Sequence, residues 1–249
     1  MIEATIAMPV YKADKIAFLA MESLCNQKTS INWELIVAEE IHSQQLGIDF
    51  IEQYAERLKD AGCESIKYLE YKEWISLPKK WKDIGEHADP NSKVFLLQAV
   101  DCYSAADRIE EAFDCIVNKN FDWIDYENGF FYNLATGQMI QYSAKARTNL
   151  DMAFKTKYAR TIPDSALRKG IDGFLFTHVS KQAKIVKQLS ISKPAKMDSF
   201  DTDGENNISI GRTSFYSNIR HPFIRTSIRL EDLDITDNIK DKLKDLRTR

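Results

Sequence analysis

The sequence predicts an α/β protein built on a mainly parallel sheet. Three observations carry that expectation. Apolar runs of strand length recur at residues 5–10, 33–38 and 93–100. Between them, apolar residues fall at helical spacing. The second and third runs end in acids, Glu39-Glu40 and Asp101, and the carboxyl ends of buried strands are where open α/β sheets bind ligands.

In order, residues 5–10 (TIAMPV) read as a first strand, with Pro9 removing a ladder donor and turning the chain. Past the loop Tyr11-Lys12-Ala13-Asp14, the residues Ile16, Leu19, Ala20, Ser23 and Leu24 mark a helix, with Asp14 as its cap. Residues 33–38 (WELIVA) form a second buried strand. Ile48, Ile51, Ala55 and Leu58 mark a second helix, closed by Gly62. Residues 65–71 give a short third strand, and residues 72–92, where Trp74, Leu77 and Trp81 interleave with Lys79, Lys80 and Lys82, read as irregular. The fourth strand spans residues 93–100, rich enough in large and β-branched side chains to be buried on both faces. A polar break with Asp101, Tyr103 and Ser104 leads to a helix carrying Ile109, Ala112, Phe113, Ile116 and Val117 on one face. Ser104 stands where an N-cap belongs, with Asp107 three residues on. Strands alternating with helices imply right-handed crossovers and a parallel sheet.

After about residue 120 the pattern changes. Residues 123–126, 130–134 and 139–142 read as short strands joined at Glu127-Asn128-Gly129 and Ala135-Thr136-Gly137. Positive charge dominates residues 145–169, where Phe154 and Tyr158 are interleaved with it. Residues 170–179 set Asp172 between Gly170 and Gly173 and lead into an apolar run, residues 181–190 read as a helix, and 192–207 as a polar, mobile lid loop. Asp201, Asp203, Asn206 and Asn207 there imitate a calcium loop, but the spacing lacks the closing glutamate. Residues 236–249 read as a polar, partly frayed helix.

A chain of 249 residues with 44% hydrophobic side chains buries a real core in one large domain. A formal net charge of −3 argues against a general nucleic-acid binder. The four cysteines form no CxxC pair and point to reduced thiols without zinc. No apolar run is long enough to span a membrane, and the first residues lack a basic leader, which together point to the cytoplasm.

The first half resembles the nucleotide-sugar glycosyltransferases of the GT-A fold, in their large family 2-like group. MPVYKADKIAFLAMESLCNQ followed by WELIVAEE resembles the family's usual opening, a strand ending Pro-Val-Tyr-Asn (here Pro9-Val10-Tyr11-Lys12), a helix ending Ser-Leu-x-x-Gln and a second strand ending in acids. Gln98-Ala99-Val100-Asp101, ending in Asp107-Arg108-Ile109, stands where the family carries Asp-x-Asp-Asp and then Arg-Ile or Arg-Leu. The resemblance covers roughly residues 4–117. It implies a GT-A, Rossmann-like sheet in a single domain of 249 residues: a nucleotide-sugar-binding half (1–117), an acceptor and catalytic half (118–235), and a helical tail (236–249).

It also implies roles. Pro9, Val10 and Tyr11 would lie against base and ribose, Glu39 or Glu40 would hydrogen-bond one of them, and Gln98 could reach the ribose. Asp101 would meet the diphosphate and a divalent cation, Mn2+ or Mg2+, since a diphosphate leaving group needs its charge neutralised. Gln98 and Val100 replace two of the family's acids, so either Asp101 holds the cation with a downstream ligand such as His221, or the metal is weak or absent. In the second case Lys79, Lys80, Arg212 and Arg220 could take part of the charge. Asp172 would be the general base of an inverting displacement, its flanking glycines giving substrate room; the same pattern also suits a turn aspartate. The acceptor would be a glycan, a small molecule or, through the basic stretch, a modified nucleic acid. A non-catalytic nucleotide- or glycan-binding module is the reading that the missing acids favour.

Overall fold

The structure, a computed structural model, describes residues 1–11, 16–41, 45–127, 130–133, 138–142, 152–166, 171–183, 186–192, 200–202, 223–225, 230–232 and 235–247. The strands are β1 (Ala4–Val10), β2 (Trp33–Glu40), β3 (Cys63–Tyr71), β4 (Val94–Leu97), β5 (Cys102–Tyr103), β6 (Trp123–Glu127), β7 (Phe130–Asn133), β8 (Gln138–Tyr142), β9 (Ala153–Lys155), β10 (Gln188–Ser192), β11 (Phe200–Thr202) and β12 (Phe223–Arg225). The α-helices are α1 (Phe18–Cys25), α2 (Ile48–Glu52), α3 (Ala55–Asp60), α4 (Leu77–His87), α5 (Arg108–Phe113), α6 (Thr156–Ala159), α7 (Ile171–Ala183) and α8 (Asp237–Arg247).

A seven-stranded sheet runs β10-β6-β9-β4-β1-β2-β3. The pairs β1–β2, β1–β4, β2–β3 and β6–β10 are parallel, and β9 lies antiparallel between β4 and β6. The predicted α/β class, with a mainly parallel sheet flanked by helices, is the observed one. Alternation explains why the central strands are apolar throughout. Ile6, Met8, Leu35, Val37, Val94 and Leu96 face one core with α1, α3 and α5; Ala7, Ile36, Ala38, Phe95 and Leu97 face a second core with α4, α6 and α7. A second sheet, β12-β8-β7-β11-β5, joins β5 to four short strands of the latter half.

Several boundaries differ from expectation, each for a local reason. Residues 72–92 are not irregular: α4 occupies Leu77–His87, with Ser76 as N-cap accepting from the Lys79 amide and Pro78 in the first turn. Trp81 and Ile84, with Ala88 just past its end, are its buried apolar contacts, and Gly85 lets it approach α6, since a Cβ there would stand 2.6 Å from the Ala159 carbonyl carbon. The single helix expected from Ile48 to Leu58 is two, broken at Gln53-Tyr54. Gly62 does close it, at φ +94°, where a Cβ would crowd the Ile31 carbonyl and the Trp33 indole.

The fourth strand stops at Leu97, and the chain bends into the second sheet at β5. Ser104 is not an N-cap: its hydroxyl donates to Gln98, and the following helix begins at Arg108 and ends in a turn of π-helix, Asp114–Asn118. Residues 181–190 are not one helix, because α7 ends at Ala183 and β10 begins at Gln188. Within the expected lid loop, Phe200–Thr202 forms β11, paired with both β5 and β7. The tail is a docked helix, with Ile239 and Leu243 fully buried. Asp14, His42, Asp203, Asn206, Asn207, Arg212, Arg220, His221 and both turn joints of the latter half lie wholly or partly outside the described residues.

Burial pushes the Cys25 thiol up to about 11 and that of Cys63 up to about 12, which favours the neutral thiol in both near pH 7. Among the described residues no helix is long and apolar enough to cross a membrane.

Candidate functional site

The sheet register brings three strand tips to one edge. Pro9 pairs with Ala38 and Val10 with Glu39 across β1 and β2, while β4 continues past Leu97 with the Gln98 amide donating to the Ala7 carbonyl (2.9 Å). Pro9, Val10, Tyr11, Glu39, Glu40, Gln98 and Asp101 therefore share the carboxyl edge of β1, β2 and β4.

Within that edge the polar side chains do distinct work. Glu39 is fully buried, and its carboxylate accepts from the amides of Leu46 (2.7 Å) and Gly47 (3.0 Å) and from the Tyr68 hydroxyl (2.7 Å). Those bonds offset the cost of burying the charge and hold residues 46–47 over the tip of β2. Burial, then the Glu39 contact, raises the Tyr68 phenol well above its usual range, so it stays a donor. Glu40 accepts from the Ile75 amide (3.1 Å) and from the Lys80 ammonium (2.5 Å).

Lys80 reaches this pair from α4 and also donates to the Val10 carbonyl. It is 2% exposed, and burial holds its ammonium below the usual lysine range even though Glu40 pulls it back up. Its nitrogen lies 6.0 Å from the Tyr11 ring centroid. Lys80 thus links the tips of β1 and β2 to α4. Lys79, one residue away, is partly exposed and pairs instead with the buried Asp83 of the same helix.

Gln98 is fully buried and works as a hub. Its amide nitrogen donates to the carbonyls of Ala99 (3.0 Å) and Cys102 (3.1 Å); its oxygen accepts from Ser104 (2.7 Å) and Arg108 (2.8 Å). Arg108 also donates to the Leu97 carbonyl. This network fixes the turn that carries Asp101, whose carboxylate is half-buried and accepts from the Cys102 thiol (3.2 Å). Among the described residues no group of three or more His, Cys, Asp or Glu is placed to hold a metal ion. With Gln98 turned inward and Val100 apolar, Asp101 is the acid that the β4 tip offers.

Asp172 is the second residue of α7. The helix is anchored by Leu175 and Val179 in the same core as Trp81, Phe95 and Phe154. The chain approaching α7 touches the strand edge, because the Ser76 hydroxyl donates to the Ser165 carbonyl (2.5 Å) one residue after Ile75 binds Glu40. In the basic stretch, Lys155 pairs with Asp122 (2.9 Å), Arg160 donates to the Asp89 carbonyl (2.7 Å) and Lys157 lies 4.8 Å from the Tyr158 ring centroid.

Two features of the edge had no signature in the sequence. One is the Lys80–Glu40 link, for which only a helical reading of Leu77, Trp81, Ile84 and Ala88 would have aimed Lys80 inward. The other is β11, whose backbone sets Asp201 opposite Cys102, next to Asp101.

No protein-family model matches the chain, and no curated protein matches it. Solved structures do. S. aureus TarS aligns with a TM-score of 0.60 at 13% identity over 81% of this chain, which spans 37% of that one. The 1–349 piece of TarS in complex with UDP aligns with a TM-score of 0.60 at 13% identity, over 99% of this chain and 71% of that one. The mannosyltransferase PcManGT from Pyrobaculum calidifontis, in complex with GDP-Man and Mn2+, gives a TM-score of 0.55 at 11% identity over 98% and 69%. At such identities the likeness is one of fold, and the fold is the GT-A type of glycosyltransferases.

Proposed function

We propose that this chain is a glycosyltransferase that moves a sugar from a nucleoside-diphosphate sugar to an acceptor hydroxyl. The observation that carries the reading is the convergence of Pro9-Val10-Tyr11, Glu39-Glu40 and Asp101 on one edge of a sheet of GT-A type. TarS structures hold UDP and UDP-GlcNAc, and PcManGT holds GDP-Man with Mn2+; by analogy of fold, a nucleotide-sugar is the donor class that this edge would take.

In this reading residues 1–117 hold the donor and residues 118–235 the acceptor. The backbone at Pro9-Val10-Tyr11 and the segment that Glu39 holds at Leu46-Gly47 flank base and ribose. Asp101 faces the diphosphate. When bound, a divalent cation would neutralise the leaving group. Asp172 takes the proton of the acceptor hydroxyl as that oxygen attacks the anomeric carbon, and the nucleoside diphosphate leaves with the bonding pair. Lys80 and Gln98 act behind the surface, fixing the strand tips.

A thermal-shift panel of uridine, guanosine, cytidine and thymidine diphosphate sugars, each with and without Mn2+, tests the donor assignment. Stabilisation by one nucleobase series supports it; no shift with any of them contradicts it.

A further inference from the structure

One apolar cluster lies behind every segment that leaves the candidate donor edge. It contains Ile16 from just before α1, Phe18 and Leu19 from its start, Tyr103 of β5, Tyr132 of β7, Leu230, Ile235, and Ile239 and Leu243 of α8, with Phe50 of α2 packed against it. Ile16 follows Tyr11 at the tip of β1. Phe50 comes three residues after Gly47, which Glu39 holds. Tyr103 comes two residues after Asp101. The tips of β1, β2 and β4 are thus each continued by a segment that packs on the same cluster, and α8 is the element that closes it.

Helix α8 depends on that docking. It has eleven residues, and an isolated helix of that length is marginal in water. Its inward positions, Ile239, Leu243 and Leu246, are spaced for one face, and Lys242 lies 5.0 Å from the Phe18 ring centroid. The opposite face is charged, with Asp241, Lys244 and Asp245 exposed.

We propose that α8 is a positioning clamp for the donor site: its docking orders the segments after β1, β2 and β4 together, and nucleotide binding and α8 docking reinforce each other without contact between nucleotide and helix. The binding half of this inference rests on the donor assignment above; the ordering half does not. Coupling of this kind is reciprocal. Whatever factor α8 docking adds to nucleotide affinity, the nucleotide adds to α8 docking.

The test uses the full chain as wild type, Leu243→Ala, the milder Leu246→Ala, and Leu243→Met as the conservative rescue. Hydrogen exchange without ligand is the first arm. Both alanine variants are expected to exchange faster at residues 16–20, 50–52 and 102–103 than wild type, with β1 and β2 unchanged and Leu243→Met near wild type. Unchanged exchange at those three segments, or a loss spread evenly over β1 and β2, overturns the clamp. Titration with UDP, GDP, CDP and dTDP, each separately, is the second arm. The nucleotide that binds wild type is expected to bind Leu243→Ala on the order of tenfold more weakly and to slow exchange in residues 237–247 of wild type. Equal affinity in both proteins, or no protection of α8, overturns the coupling. If wild type binds none of the four nucleotides, the donor assignment is what fails, and the ligand-free exchange arm still decides the clamp.

Discussion

Replacing Lys80 by Met isolates the buried link at the strand tips. Wild-type Lys80 gives its ammonium to Glu40 at 2.5 Å and to the Val10 carbonyl, with its side chain 3% and that of Glu40 4% exposed. Met keeps most of the alkyl stem, so the change removes charge and donors more than volume. Breaking a buried pair from one side leaves the other charge uncompensated and costs about 3–5 kcal/mol. In a chain of 249 residues, about 2–4 °C of melting temperature goes with each kcal/mol, so the fall is roughly 6–20 °C. The neighbouring control, Lys79→Met, removes a pair whose lysine is partly exposed and whose partner, the buried Asp83, keeps its bond from the Tyr71 hydroxyl, and it costs about 1 kcal/mol or less. The double variant Glu40→Gln/Lys80→Met removes both charges and regains at least half of the loss. Calorimetry and urea unfolding of the four proteins check this. A Lys80→Met variant within 1 kcal/mol of wild type, or one no worse than Lys79→Met, would refute the assignment of Lys80 as a buried structural link.

Gly85→Ala forces a methyl group to within 2.6 Å of the Ala159 carbonyl carbon, and the overpacking costs about 1–3 kcal/mol, read as a lower urea midpoint at unchanged m-value. Gln98→Leu withdraws the acceptor shared by Ser104 and Arg108; it destabilises by at least about 1–3 kcal/mol and raises proteolysis at residues 99–104. Burial tends to raise the Asp122 carboxyl, but bonds from Lys155, the Lys187 amide and Tyr158 outweigh it and hold the group below its usual value. The stability it contributes is therefore present above the unfolded carboxylate pKa and lost as pH falls through the lower folded one. Asp122→Asn should be less stable than wild type at pH 7, with the gap closing below about pH 4, as acid unfolding curves would record.

The α/β architecture was legible because β1, β2 and β4 are covered on both faces, which forces unbroken apolar runs that no exposed element imitates. Gly62 was legible too, as its role is local. What escaped was non-local. The lysines of α4 masked a helical period, because nothing in the sequence says that Lys80 turns inward to meet Glu40, forty positions away. Ser104 has the residue type and spacing of an N-cap, yet Gln98 and Arg108 compete for its hydroxyl and win. Strands as short as β5, β9 and β11 exist through their neighbours, and three residues carry no period. In the candidate site, the acids at the strand tips could be placed from sequence alone. Their division of labour could not: Glu39 holds Leu46 and Gly47, and Glu40 holds Lys80.

We propose that the edge formed by β1, β2 and β4 holds a nucleoside-diphosphate sugar for transfer assisted by Asp172. Release of nucleoside diphosphate from each donor sugar, measured with wild type and Asp172→Asn in the presence of Mn2+ and candidate glycan acceptors, tests it most directly. Turnover of one donor by wild type is expected, with a loss of about 10²–10⁴-fold in Asp172→Asn and donor affinity kept. Equal turnover by both proteins, or none of any donor by wild type, would contradict it.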